Sequence, residues 1–426
     1  MKPQSRQELQ RWLGDTLQDS NRDNPRYWFP LTMPTYGIDE ITEAIECMVD
    51  YQTSMGQRTR TFEKQFAEYV GAADAVMVNS GSSADLLLAY QLVNPMQPRL
   101  QPGDEVLVPV VTWPTQVWSV AMAGLKVQLV DVDPVTLNVD LDDLRKRITP
   151  RTKCLFAVHL MGNPCAMDAL SAICDEYGLL LIEDCCEALG AKHGDQHVGT
   201  FGLGGSYSFF FSHHMTTMEG GMVTCRDEAQ ADELRVLRAH GWSRGLQNQV
   251  ADASPQIDSR YRFVNWGFNL RPTELQAAFG IHQLAKLDAM NARRATLAAR
   301  FESFVDQHPH LATPLVPASG TASPFALPVM LSGPLHDRRA DLTTRLEEQG
   351  IETRPIVAGN LARQPAAKIL GEIDPAAYRG ADQIHARGFY LGLNPAFDDV
   401  LFQRMLDTLD ECVAASLGTT RVRTAA

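Results

Sequence analysis

The chain has 426 residues, of which 45% are apolar and 21% charged, and its formal net charge is −13. Such a chain can bury a large core, so we expect one large domain and a smaller one rather than disorder. The negative charge argues against nucleic acid as a partner, and no long apolar run predicts a secretion signal or a membrane span. A cytoplasmic location is the default expectation.

The first predicted elements are a polar N-terminal extension at residues 1–32 and an amphipathic helix at 38–51. Short β-rich runs then alternate with helical segments, which is typical of a mostly parallel sheet with helices on both faces. These runs are AVMV (75–78), EVLVPV (105–110), KVQLVDV (126–132), CLFAVHL (154–160), LLLIED (179–184), SYSFFF (206–211) and GGMVTC (220–225).

A long helical pattern at 272–304 follows and is long enough to connect two domains. After it the pattern changes to a smaller α+β unit, with a strand at 325–331 and helices at 336–350 and 398–418. We therefore predict a large domain at 33–280 and a small C-terminal domain at 281–426 that includes the connecting helix.

Three segments carry residues suited to chemistry. In the first, Asn79–Ser83, hydroxyl and backbone N–H groups precede a predicted helix and can form a phosphate cradle, although a serine N-cap explains the same pattern. In the second, Asp184 ends a buried strand, where a carboxylate needs a cationic partner such as a protonated pyridine nitrogen. Capping of the next helix is the alternative.

The third segment places the adjacent histidines His213 and His214 between an aromatic strand and a Gly-Gly turn. Such a pair is more often a fragment of a metal site or a surface loop than a catalytic base. No third ligand at a usual metal spacing is evident in the sequence, so we predict no metal site here. The eight cysteines show no CxxC spacing and are expected to be reduced, buried thiols.

In this order the three segments resemble the DegT/DnrJ/EryC1/StrS family of sugar aminotransferases, which includes sugar dehydratases, over residues 33–415. The family's SGT turn is matched by Ser80–Ser82, and its EDxAQ motif by Glu183–Glu187, with Glu187 in place of glutamine. Its lysine motif, SFxxxKxxxxxGEGG, aligns on Glu219–Gly221 and places His213 at the lysine position.

The resemblance implies an α/β fold of the pyridoxal-phosphate (PLP) fold-type I class and assigns roles by position. The implied cofactor-binding residues are Gly81, Ser82, Trp113 stacked on the ring, Asp184 at the ring nitrogen, Glu187, Ser208 at the phosphate, and Asn269 reaching a phosphate across a homodimer interface. The implied substrate-binding residues are Arg354, Asn360 and Arg363.

A histidine cannot form the Schiff base that the family's lysine makes with PLP, but it can move protons near neutral pH. The pattern resembles the family's branch of 3-dehydratases, which act on nucleotide-linked 4-keto-6-deoxyhexoses. The resemblance implies catalysis by His213 with PLP and pyridoxamine phosphate (PMP), L-glutamate as amino donor, and GDP-4-keto-6-deoxymannose as the expected substrate. Only Cys225 and Cys412 follow His213, so no iron–sulfur cluster is expected.

Three other functions are compatible with the residues. The first is a nucleotide-sugar 4-aminotransferase that tolerates the histidine. The second is a lysine-less pseudoenzyme that binds cofactor or sugar. The third is a metal hydrolase built on His213 and His214.

Overall fold

The computed structural model describes residues 5–18, 26–246 and 257–418. Parts of the predicted N-terminal extension (1–4 and 19–25) and the end of the predicted small domain (419–426) lie outside these residues. The α-helices are α1 (Arg6–Gln18), α2 (Ile38–Val49), α3 (Gln57–Val70), α4 (Gly81–Leu92), α5 (Pro114–Met122), α6 (Leu141–Arg147), α7 (Met167–Tyr177), α8 (Glu228–Arg238), α9 (Glu274–Val305), α10 (Arg339–Glu348), α11 (Arg379–Arg387) and α12 (Asp399–Ser416).

The strands form a large sheet, a smaller sheet and a two-stranded hairpin. They are β1 (Asp74–Val78), β2 (Glu105–Pro109), β3 (Lys126–Val130), β4 (Thr152–Val158), β5 (Leu180–Asp184), β6 (Lys192–His193), β7 (Gln196–His197), β8 (Gly205–Ser208), β9 (Gly221–Cys225), β10 (Leu311–Ala312), β11 (Leu327–Leu331), β12 (Thr353–Pro355) and β13 (Gly388–Leu391).

The large sheet has seven strands in the order β1-β9-β8-β5-β4-β2-β3, and β9 alone runs antiparallel to its neighbours. Every residue of β2 is buried, as expected for a strand covered by helices on both faces. The carboxyl ends of the parallel strands therefore meet at one edge, which is where ligands bind in open α/β sheets. The predicted mostly parallel sheet is confirmed.

The C-terminal unit is a four-stranded antiparallel sheet in the order β10-β11-β13-β12, whose core includes residues of α10 and α12. Its core also contains Phe29 from the N-terminal segment, which forms a parallel bridge with Ile351. The first described residues after position 25 thus pack with the C-terminal sheet. The predicted domain boundaries at residues 33 and 280 stay a prediction.

Helix α9 connects the two cores. Its N-terminus is closed by a capping box of Thr273 and Gln276. Its first half buries Leu287 in a core cluster of the large sheet, and its second half buries Leu297 and Phe301 in the core of the small one. With 32 residues it is about 48 Å long. Among the described residues, no helix combines the length and the apolar composition that crossing a bilayer requires.

Candidate active site

The turn between β1 and α4 lies against the end of β8. Ser80 caps α4 by accepting a hydrogen bond from the Ser83 N–H at 3.1 Å. A Cβ atom at Gly81 would lie 2.5 Å from Cβ and 2.8 Å from Oγ of Ser208, so only glycine allows this approach. The predicted phosphate-binding residues Gly81 and Ser208 are therefore adjacent at the helix N-terminus.

The same turn contacts the first turn of α5. Ser82 Oγ and Thr115 Oγ1 are 3.1 Å apart. Trp113 is the N-cap residue of α5, and 60% of its surface is exposed. Its indole is thus available at the edge of the sheet where the predicted stacking would occur.

Asp184 is buried at the carboxyl end of β5. Its Oδ1 accepts a hydrogen bond from the Cys186 N–H at 2.7 Å, and its Oδ2 accepts one from the Gln116 side chain on α5. Burial raises the pKa of Asp184. No cationic side chain is recorded as bonding this carboxylate in the described residues, which leaves a place for a cationic ring nitrogen.

A second carboxylate lies beside Asp184. Asp85 on α4 is 1% exposed, and its oxygens accept hydrogen bonds from Ser206 Oγ at 2.5 Å and Gln116 Nε2 at 3.1 Å. One carboxylate oxygen of each aspartate and the Cys186 sulfur lie within 4.8 Å of one another. Burial, and then the charge of Asp184, raise the pKa of Asp85, so this pair of acids holds a proton to higher pH than two isolated aspartates would.

His213 follows β8 in a turn in which its N–H donates to the Phe210 carbonyl at 3.0 Å. Its ring is partly buried, lies 5.2 Å from the Phe325 ring, and has a buried Nδ1 without a hydrogen-bond partner. Burial, and then the charge of Arg294, lower the pKa of His213 to about 4. The imidazole is therefore neutral near pH 7 and can accept a proton.

His214 is buried, and its ring lies 6.0 Å from the same Phe325 ring. Its Nε2 lies 2.9 Å from the Ser323 carbonyl oxygen, to which the N–H donates. Arg294 of α9 donates to the backbone carbonyls of both histidines, at 3.0 Å to His214 and 3.3 Å to His213. The two histidines thus share one anchor but differ in environment.

Glu187 is linked to His213 through the backbone of Met161 and through Phe325, whose ring contacts the His213 ring. Its Oε2 accepts a hydrogen bond from the Met161 N–H at 2.9 Å, and the Met161 carbonyl accepts one from the Phe325 N–H at 3.1 Å. Burial raises the pKa of Glu187 to about 7. Burial, and then the nearby charge of Glu187, raise the pKa of Tyr390 on β13 to about 12. Glu187 therefore faces the small sheet.

The predicted substrate residues lie in and after β12. Arg354 is on β12 and pairs in register with Tyr390, and its guanidinium donates to Glu352 at 2.8 Å. Arg363 makes a two-pronged ion pair with Asp382 at 2.6 and 2.7 Å. Arg354 is thus the one of these residues that is connected through Tyr390 to Glu187.

Asn360 is buried, and its side-chain amide is used within the protein. Its Nδ2 donates to Asp382 at 2.7 Å and to the Pro375 carbonyl at 3.1 Å, and its Oδ1 accepts from the Ala362 N–H at 3.0 Å. These bonds fix the loop that carries Arg363. A direct contact between Asn360 and a sugar stays a prediction.

Asn269 is exposed next to the phosphate turn. Its neighbour Leu270 accepts a hydrogen bond from the Asn79 N–H at 3.0 Å, and its own Oδ1 accepts from Arg271 at 3.0 Å. The predicted contact with a cofactor of a second subunit stays a prediction.

Two clusters have donor atoms close enough to bind a metal: Asp85, Asp184 and Cys186, and His159, Glu183 and Cys185. In the second, Glu183 accepts hydrogen bonds from three backbone N–H groups, Gly199, Phe201 and Gly202, at 2.7–2.9 Å. The Cys165 N–H donates to His159 Nδ1 at 3.0 Å, so that nitrogen has no free lone pair. Within the described ranges, His213 and His214 belong to neither cluster.

Sequence reasoning missed Asp85, Gln116 and Arg294. Arg294 left a signal, because it lies on the buried stripe of α9 between Met290 and Leu297, where an apolar residue is expected. A charge at a buried helix position needs a partner or a function.

The large, mostly parallel sheet and the similarity to solved PLP enzymes define the fold-type I class of PLP enzymes. A model of the DegT/DnrJ/EryC1/StrS aminotransferase family matches residues 35–410, and the chain belongs to this family. The predicted fold class and family are confirmed.

Relatives in the family are similar over nearly the whole chain. GDP-4-keto-6-deoxy-D-mannose 3-dehydratase of Yersinia pseudotuberculosis is 38% identical over 375 residues, which cover 85% of this chain and 93% of the relative. The E. coli GDP-4-keto-6-deoxy-D-mannose-3-dehydratase with bound hydrated PLP superposes with a TM-score of 0.84 and 33% identity, covering 90% of this chain and 99% of the other. A GDP-4-keto-6-deoxymannose-3-dehydratase with a trapped PLP-glutamate geminal diamine has a TM-score of 0.85 and 33% identity, covering 89% and 100%.

Proposed function

We propose that this protein is a PLP/PMP-dependent 3-dehydratase of a nucleotide-linked 4-keto-6-deoxyhexose, with GDP-4-keto-6-deoxymannose as substrate. The observation that carries the proposal is the neutral imidazole of His213 in the turn after β8, where the family's lysine motif aligns. No lysine occurs between residues 205 and 225. The named relatives with this substrate support the same conclusion.

The residues at the sheet edge fit PLP or PMP. A Cβ at position 81 would fill the cradle between the turn and Ser208. Because Gly81 has no Cβ, the backbone of the turn and the Ser208 hydroxyl remain open to a phosphate. Asp184 offers a buried carboxylate to the ring nitrogen, and Trp113 offers an exposed indole for stacking. Ser82, Glu187 and, from a second subunit, Asn269 complete the proposed cofactor site.

In the proposed reaction the bound cofactor supplies an amine for the sugar's 4-keto group and a ring that withdraws electrons. His213 is the base that accepts a proton, and its lack of an amine excludes covalent attachment of the cofactor to this residue. Asp184 holds a positive charge on the ring nitrogen. L-glutamate is proposed as amino donor because a relative was trapped with a PLP-glutamate adduct.

The proposal assigns the substrate to the space between the sheet edge and the small domain. Arg354 and Arg363 supply guanidinium groups suited to the diphosphate of a nucleotide sugar, and Asn360 fixes the loop of Arg363. Cys225 and Cys412 lie in different core clusters, which supports the proposal that the enzyme works without an iron–sulfur cluster.

A homodimer in the cytoplasm is part of the proposal. Large exposed aromatic side chains support an interface: Tyr51 (92% exposed), Tyr261, Phe263 and Trp266. The last three are close in sequence to Asn269, the residue proposed to reach the partner's cofactor.

Product analysis tests the proposal. Purified protein is incubated with PLP, L-glutamate and GDP-4-keto-6-deoxymannose, and the product is identified by NMR and mass spectrometry. Loss of the 3-hydroxyl with release of ammonia is expected. A 4-amino sugar would show an aminotransferase, cofactor binding without turnover would show a pseudoenzyme, and one equivalent of zinc with chelation-sensitive activity would show a metal hydrolase.

A covalent-labelling experiment tests the cofactor site separately. Borohydride treatment of the PLP-loaded protein should leave the chain unlabelled, because His213 has no amine to trap. Peptide mapping that finds the cofactor on a lysine, such as Lys192, would contradict the assignment.

A further inference from the structure

The guanidinium of Arg294 is a buried positive charge for which no acidic partner is recorded in the described residues. Arg294 is 2% exposed, its Nε has no hydrogen-bond partner, and its two terminal nitrogens bond only backbone carbonyls. Burial alone accounts for the lowering of its pKa to about 10, which still leaves it charged at neutral pH. Burying such a charge is costly, so a function is expected for it.

We propose that Arg294 is a positioning residue that fixes the backbone of the histidine turn and places an uncompensated positive charge behind the imidazole of His213. This inference rests on the proposed function, in which His213 is the catalytic base.

The geometry supports both parts. Arg294 belongs to α9, whose neighbouring turns are held by Met290 and Leu297 in the core, so the position of the guanidinium is set by a long rigid helix. Its bonds of 3.0 and 3.3 Å to consecutive carbonyls restrain the two peptide groups of His213 and His214. The turn therefore has one anchor that does not depend on bound cofactor.

The groups around His213 leave this charge without opposition. The Phe210 and Phe325 rings lie 6.0 and 5.2 Å from its ring and carry no charge. His214, the titratable neighbour, has its pKa lowered by burial and by Arg294 and is neutral as well. Among the charged groups of the described chain, Arg294 is the one whose charge lowers the pKa of His213.

Two consequences follow for a proton on His213. The imidazole stays neutral and able to accept a proton well below pH 7. Once protonated, it stands near a second positive charge and returns the proton readily. In the proposed reaction His213 would take this proton from the carbon that joins the cofactor's amine to its ring, and the electron pair of that C–H bond would pass along the C–N–C link to form the double bond between C4 and C3 of the sugar. The C3 oxygen would leave with the electron pair of its bond to carbon, take the proton from His213 and depart as water, which restores neutral His213.

The test uses the cofactor-free protein, so it does not depend on turnover. The Cε1 resonance of His213, assigned by comparison with His213→Asn, is titrated by NMR in the wild type, Arg294→Gln and Arg294→Lys. Glutamine keeps an N–H donor without the charge, and we expect the midpoint to rise from about 4 by up to about one pH unit, because burial, the larger cause of the lowered pKa, is unchanged. Lysine keeps the charge and should keep a low midpoint.

Arg293→Gln is the matched control. Arg293 precedes Arg294 on the same helix but bonds the Phe397 carbonyl and Asp399, so its replacement should leave the His213 midpoint unchanged. In a functional assay, the acid limb of the pH–kcat profile should move upward in Arg294→Gln alone.

An unchanged midpoint in Arg294→Gln, or a midpoint raised equally in Arg294→Lys, overturns the inference. If Arg294→Gln does not fold, the Arg294→Lys variant still tests the inference. A rise of the His213 midpoint in that variant contradicts the role of the charge, because lysine keeps it. A midpoint that moves as expected, in a protein that makes no 3-deoxy product, sustains the electrostatic inference and refutes the proposed function instead.

Discussion

Two regions of the candidate site bury charge of opposite sign. At the ends of β5 and α4, Asp184 and Asp85 place two carboxylates around one amide, that of Gln116. Behind the turn after β8, Arg294 places one cation against two neutral imidazoles, those of His213 and His214. The acidic region retains a proton, whereas the histidine region repels one. The fold thus shifts the pKa values of the two regions in opposite directions before any ligand binds.

The largest expected effect comes from removing the base in the cationic region. His213→Asn should lower turnover by about 10²–10⁴-fold, because it removes the proposed base, while PLP affinity stays close to that of the wild type. Steady-state kinetics and an absorbance titration with PLP measure the two quantities.

The matched control for this change is His214→Asn. His214 donates to the Ser323 carbonyl, so its loss should cost about 1 kcal/mol of stability and leave the base in place. Equal losses of turnover in the two variants would show that the histidines are not distinguished as described.

In the acidic region, Asp184→Asn should weaken cofactor binding by about 1.5–3 kcal/mol, because a charged hydrogen bond to the ring nitrogen is replaced by a neutral one. The dissociation constant of PLP, from absorbance titration, reports this change. Asp85→Asn is the control, and its affinity should remain near that of the wild type. A loss of affinity in both variants would mean that the two acids act alike.

Asp85→Asn tests the retained proton. Folding raises the pKa of Asp85 above its ordinary 3.8, so the folded protein binds this proton more tightly than the unfolded chain does. The folded protein therefore loses stability as the pH rises above 3.8. The asparagine variant should therefore gain melting temperature over the wild type between pH 5 and pH 8, by on the order of 2–4 °C in the cofactor-free protein. Asp50→Asn, at an exposed position, should show no such trend. A gain that is the same at both pH values would refute the retained proton.

The smallest effect is expected at Glu187. Its folded pKa of about 7, against an ordinary 4.5, makes its contribution to stability fall between these two pH values and then level off. Glu187→Gln should remove that fall, so its melting temperature relative to the wild type should rise between pH 5 and pH 7 by on the order of 1–2 °C. Glu348→Gln, on the surface, is the control. A relative melting temperature that does not change with pH would place Glu187 in water rather than in a buried position.

The sequence allowed prediction of what local patterns encode. The connecting helix predicted at 272–304 is found at Glu274–Val305, and the helix predicted at 38–51 is found at Ile38–Val49. The strand predicted at 206–211 ends at Ser208 instead. Beyond it the Phe209 N–H still donates to the Gly220 carbonyl, but His213 lies in a turn closed onto Phe210. Aromatic composition does not show where such a turn begins.

The charges that tune the site were not predictable in the same way. Asp85 and Asp184 are far apart in the chain, as are His213 and Arg294, and each pair meets only because α4 lies against β8 and α9 lies behind the histidine turn. The buried position of Asp85 within the apolar run ADLLLAY was a signal of burial, but its partner depended on the sheet order. Family motifs name residues that touch ligands, whereas these residues act on other residues.

The pairing of the N-terminal segment with the small domain has a consequence for synthesis. Trp28 donates to the Gln349 carbonyl across 321 residues of sequence, and Phe29 is buried among elements that follow it on the chain. At about 5–20 residues per second, the ribosome needs on the order of 15–60 s to make the partners of these two aromatic rings. The nascent chain therefore carries an apolar segment without its native partners while the large sheet is still being made.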